Sequence, residues 1–196
     1  MAHKNTIRKL AQKKGVHIHK DDRKFYELVV LLADRSKDDP LFGAIKLNKL
    51  LFYCDFLAYA LLGKPITGQE YFALQNGPAP RHKVVHWDKM VRRKDIAIRR
   101  ESTRFDNERE VTLALRDPDV TVFTSPELDI VYKVLAHSKD MAGSDLSKIT
   151  HKFPGWELAR EKEVIPYPVA LVGNRHPTPA ELKYARALQE ELAIAA

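Results

Sequence analysis

The sequence predicts an α+β fold that is predominantly α-helical, a compact helical domain with one small antiparallel β-hairpin. Three observations predict it. Apolar residues recur at the i, i+3, i+4, i+7 spacing of a helix face at Phe25, Leu28, Val29 and Leu32, and a second apolar stripe runs from Leu47 to Leu61. Residues 96–99 and 111–115 alternate apolar with small or polar side chains, as strands with one face on a core do. Proline and glycine fall between these segments rather than inside them.

The first core helix is expected to start near Phe25 and to end before Lys37-Asp38-Asp39-Pro40, because proline disfavours helix in the residue before it. A second helix is expected over 45–62. Leu47, Leu50, Leu51, Cys54, Ala58 and Leu61 form its stripe, while Phe52, Tyr53, Phe56, Leu57 and Tyr59 fill most of the remaining circumference. A helix that is apolar nearly all round belongs at the centre. Gly63 follows it where a left-handed cap is wanted, and Lys64-Pro65 prevents its continuation.

Residues 67–80 read as an extended stretch and a turn built on Asn76-Gly77-Pro78, with Pro80 opening the next helix. In that helix, about 81–93, Val84, Trp87 and Val91 are expected to face inward, and His82, His86, Lys89 and Arg93 outward. The two strands at 96–99 and 111–115 then pair as a hairpin, with a charged, exposed and mobile link. Ser125 with Pro126 starts a helix whose Leu128, Val131, Tyr132 and Leu135 point inward. A short helix is expected over 144–150, ended by Pro154-Gly155. Pro166, Pro168, Gly173-Asn174 and Pro177 leave little room for regular structure after it. Thr178-Pro179-Ala180-Glu181 is a capping box that announces a last helix to about Leu192. The resulting organisation is a basic arm over 1–23, a domain over 24–160, and a proline-rich connection with a C-terminal helix packing on the domain over 161–196.

Composition narrows the function. At 44% hydrophobic and 30% charged, the 196 residues resemble an ordinary folded soluble chain. The longest apolar run, from Leu50 to Leu62, is broken by Asp55 and falls short of the roughly 20 residues that cross a bilayer. No secretory signal opens the chain, and its single cysteine fits a reducing, cytoplasmic setting. The net charge of +7 is concentrated at one end: residues 1–24 hold eight basic side chains against two acidic ones, and the rest is near balance. Arg8, Lys9, Lys13 and Lys14 are therefore the candidates for contact with nucleic acid, and the alternative is a solvated arm.

Catalytic chemistry finds little support. His82 and His86 stand one turn apart, but no glutamate follows His82 as in the HExxH zinc motif, and His17 and His19 lack an evident third ligand. No metal and no cofactor are expected, and no catalytic residue is assigned. A hydrolase or transferase using His82, His86 or His151 is the rival reading. Cys54 sits in the apolar stripe, where its thiolate is disfavoured. Asp55, among apolar neighbours, has to pair, protonate or reach the surface, and Lys49 or Arg81 is the partner expected.

Lys46 to Pro80, KLNKLLFYCDFLAYALLGKPITGQEYFALQNGPAP, combines a K-L-x-K-L-L-F-Y helix start, G-K-P-I after the helix, an extended E-Y-F-A piece and a terminal G-P-x-P. Leu146-Ser147-Lys148-Ile149-Thr150-His151 and Trp156 form a second block. Together these resemble the Panacea domain of SocA-like antitoxins, over roughly residues 24–160. The resemblance implies a mostly helical, non-catalytic, prokaryotic or phage protein that binds a toxin encoded beside it, in some relatives as an adaptor to a protease. It singles out Lys46, Lys49 and Tyr53 as a binding face and His151 with Trp156 as a second patch. Leu47, Leu50, Gly77, Pro78 and Pro80 are its structural positions. The basic arm before Arg23 lies outside the motif, and the charged hairpin near 96–115 is longer than the link expected. Lys46, Lys49 and Tyr53 have an alternative as ion-paired or buried positions.

Overall fold

A computed structural model describes residues 18–102 and 108–172. Helix α1 (Asp22–Arg35) starts three residues before the first apolar position, because the Asp21 carboxylate accepts from the Lys24 backbone N–H and caps it. Helix α2 (Ala44–Leu62) is the central element expected, buried on nearly every side and closed by Gly63 at φ 74°. The fold is α+β and mostly helical.

Between α2 and the next helix the chain makes a hairpin too short to read from alternation. Strand β1 (Tyr71–Phe72) pairs antiparallel with β2 (Ala79–Pro80), so Pro80 ends a strand and does not open a helix. Helix α3 (Lys83–Arg92) is rotated from the expected orientation. His86, Trp87 and Met90 face inward, while Val84 is 73% exposed and Val91 also faces solvent. His86 packs edge-on against Phe25 and Tyr26 and bonds the Tyr26 hydroxyl at 3.2 Å, which offsets burial of its polar nitrogen.

Strands β3 (Ile96–Ser102) and β4 (Glu108–Ala114) form the expected hairpin, with Ile96 opposite Ala114 and Ser102 opposite Glu108. They run longer than the alternation marked; the middle of the link, residues 103–107, lies outside the described residues. Helix α4 (Ser125–Ser138) is capped one residue earlier than expected: Thr124 precedes it, and the Glu127 side chain reaches back to the Thr124 N–H at 2.8 Å. Ile130, Val131 and Val134 are its buried apolar residues, and Tyr132 is exposed. Helix α5 (Gly143–His151) follows, and Pro154 starts a further turn, α6 (Pro154–Leu158), instead of only ending α5. A 3₁₀ turn spans Tyr167–Leu171. The capping-box helix expected after Thr178 and the basic arm before Ile18 lie outside the described residues.

Aromatic side chains join the C-terminal stretch to α2. Phe56 stacks on Tyr167 at 4.6 Å between ring centres, and Phe153 meets Phe52 and Phe56 edge-on. Ion pairs bind the remaining seams. Arg116 makes a two-pronged contact to Glu27 of α1 at 2.7 Å and bonds Asp95 at 2.7 Å, and Lys24 reaches Glu127 at 2.7 Å. Among the described residues no helix is long and apolar enough to cross a membrane.

Candidate functional site

The two lysines at the start of α2 lie inside the protein. Lys46 is 2% exposed: its ammonium bonds Asp39 Oδ2 at 2.7 Å and the carbonyls of Met141 at 2.8 Å and Lys139 at 3.3 Å. One side chain thereby fastens the loop before α2 to the loop between α4 and α5. Lys49 is 1% exposed and donates to the Pro78 carbonyl at 3.0 Å. These placements correct the expectation that Lys46 and Lys49 form an outward binding face.

The turn below Lys49 explains the glycine and prolines of the motif. Gly77 holds φ 86°, where a side chain is strained, and a Cβ there would meet Thr150 Oγ1 at 2.6 Å and Lys49 Cε at 2.7 Å. Two bonds draw the second sequence block onto the same turn: Ser147 Oγ donates to the Asn76 carbonyl at 2.8 Å, and the Trp156 indole N–H to the Leu74 carbonyl at 3.0 Å. His151 stacks on Trp156 at 3.8 Å between ring centres. The two blocks, some 70 residues apart, are therefore parts of one clamp around residues 74–80. Leu47, Leu50, Gly77, Pro78 and Pro80 are all buried.

Burial sets the chemistry of this region. Lys49 is pushed down to about 7 by loss of solvent and by the nearby charge of Lys83. The Asp55 carboxyl is raised by burial, against the pull of its hydrogen bonds from the Thr67 backbone N–H at 2.6 Å, the Thr67 hydroxyl and the Tyr71 hydroxyl at 2.7 Å. Its partners are thus hydroxyls and a backbone amide, which corrects the expected pairing with Lys49 or Arg81. Burial also raises the Cys54 thiol.

Apart from Lys46, one residue before its start, these clamped residues fall within a family signature. A family model described as antitoxin SocA-like, Panacea domain, matches residues 47–157. The chain belongs to this antitoxin family. No curated protein matches it, and no solved structure does. The hairpin of β3 and β4 falls within the matched span.

With the lysines inside, Tyr53 is the one of the three expected binding-face residues that is partly exposed. A groove of about 420 Å³ runs between three helices, with Tyr53 and Leu57 from α2, Val134 and His137 from α4, and Leu146 and Ile149 from α5. Its wall is apolar and Ile149 is 43% exposed. The Tyr53 hydroxyl is shielded from solvent with no hydrogen-bond partner, and burial raises it to about 12. A second groove, about 460 Å³ and bordered by Leu41, Tyr132 and Leu135, carries charges of both signs, and its buried ammonium, Lys46, is already partnered. Nothing there asks for a ligand.

Sequence reasoning found Tyr53 but missed Val134, His137, Leu146 and Ile149. The available signal was Leu146 with Ile149, an apolar i, i+3 pair inside the second block. His151 and Trp156 are half-buried and lie on the turn side of α5. His82 is exposed and His86 buried, and among the described residues no three His, Cys, Asp or Glu side chains converge as metal ligands.

Proposed function

We propose that this chain neutralises a protein toxin encoded beside it by direct, stoichiometric contact, without catalysis. The observation that carries this reading is family membership combined with the placement of the motif. Several motif side chains clamp three segments into a scaffold, and an apolar groove lies open between three of its helices, a common seat for a polypeptide partner. Such a complex would bury on the order of 1,600 Å² in all. The test is co-expression with the neighbouring gene product. Growth rescued together with a co-purifying one-to-one complex is the expected outcome, and continued toxicity with no complex defeats it. Delivery of the toxin to a protease is a further form of the same reading; it predicts that rescue disappears in a host lacking that protease.

A second reading, contact with nucleic acid, is favoured by one feature beyond the sequence of the arm. Residues 81–100 hold eight basic side chains against two acidic ones, on α3 and the start of β3. Of the earlier candidates Arg8, Lys9, Lys13 and Lys14, all lie outside the described residues. Binding of duplex DNA that falls steeply with salt, and that weakens on reversing Arg92 and Lys94 to glutamate, would support it. Binding unaffected by those changes would remove it.

A further inference from the structure

The groove at Tyr53 combines three features that specify an occupant. Its floor is apolar, so it selects a large apolar side chain. Its rim carries Lys133 and His137 from α4, neither of them in an ion pair, and no acidic side chain lines it among the described residues. Its wall holds a phenol whose hydroxyl is shut away from water and donates to nothing. An unmade bond of that kind costs free energy in the free protein and becomes an asset once an acceptor arrives.

We propose that the groove between α2, α4 and α5 is the toxin's seat and that it takes an acidic amphipathic segment. An apolar anchor lies against Leu57, Leu146 and Ile149, an acceptor oxygen takes the Tyr53 hydroxyl, and carboxylates face Lys133 and His137. This rests on the reading that the chain binds a toxin, and adds where and by what chemistry. The Tyr53 hydroxyl is a donor at physiological pH, as any tyrosine is, and burial moves its titration further from that range. The Lys133 ammonium at the rim would disfavour basic segments and so contribute to partner choice.

Calorimetric titration of the full chain with the purified neighbouring gene product, inactivated at its own active site, separates the possibilities. Tyr53→Phe is expected to bind about tenfold more weakly, while the free variant melts at the same temperature as the parent or higher, since an unsatisfied hydroxyl has been removed. A residue serving only the fold would move both quantities together. Lys133→Glu is expected to weaken binding about threefold at low salt and less at high salt. Ile149→Asp, at a position 43% exposed, is expected to weaken binding at least about tenfold in a variant verified as folded by circular dichroism. Parent-like affinity in Tyr53→Phe and Ile149→Asp overturns the groove assignment and leaves the toxin reading standing. Failure of the parent chain itself to bind overturns both.

Discussion

Lys46 and Lys49 stand one helical turn apart, are equally hidden, and meet opposite surroundings. Lys46 has a carboxylate at 2.7 Å and two carbonyls, so its charge is offset where it lies. Lys49 has one carbonyl, at 3.0 Å, and the charge of Lys83 near it, and it falls to about 7. The same residue type in the same motif therefore serves two purposes. Lys46 is a cross-link whose removal strands three acceptors. Lys49 fills the space beside Gly77 and holds the turn at Pro78, at a standing electrostatic cost.

The comparison is broken most severely at Lys46. Lys46→Met should cost about 3 kcal/mol, because it leaves a mostly buried carboxylate and two carbonyls without their donor; urea unfolding at pH 7 measures it. A loss below about 1 kcal/mol would mean that the ion pair is no more than a surface contact. Gly77→Ala should cost about 2 kcal/mol, since φ 86° is unfavourable for alanine and the added methyl group meets Thr150 and Lys49. Its thermal midpoint should fall by several degrees.

Lys49 gives the contrast a pH signature. Its folded value of about 7 lies below the unfolded 10.5, so between those values the unfolded chain binds a proton that the folded chain does not. Stability must then rise with pH from about 7 towards 10.5, and the cost is fully present below 7. Relative to Lys49→Met, the parent should gain about 1–2 kcal/mol between pH 7 and 9. The lowered His86 acts below this window, and Lys83, whose charge is coupled to that of Lys49, is controlled by repeating the comparison in a Lys83→Met background. A difference independent of pH would contradict the buried, poorly compensated ammonium. The smallest effect is expected at Tyr53→Phe in the free protein, within about 0.5 kcal/mol of zero or stabilising.

The sequence revealed α2 and its cap because an all-round apolar helix followed by Gly63 and Pro65 has few other solutions. It revealed the β3–β4 hairpin because half-buried strands must alternate. It misplaced the inward face of α3: Val84, Trp87 and Val91 make a valid helical stripe, and only the edge-on contact of His86 with Phe25 and Tyr26 decides for the other face. The β1–β2 pair has two residues per strand, too few for any period to show. Burial of the two lysines was one of two readings the sequence left open. What decides for it comes from other segments of the chain: the Asp39 carboxylate and the Lys139 and Met141 carbonyls for Lys46, and the Pro78 carbonyl for Lys49. The groove was invisible as a unit because its three walls come from helices spread over about 100 residues, although Tyr53 and Ile149 each lay in a recognisable block.

The claim that the family motif builds the scaffold while the groove does the binding is tested most directly by the affinity of one toxin for Lys49→Met and for Ile149→Asp, with both proteins verified as folded by circular dichroism. The account predicts that Lys49→Met binds within about twofold of the parent and that Ile149→Asp loses at least about tenfold. Loss of binding in Lys49→Met with parent-like affinity in Ile149→Asp would contradict it.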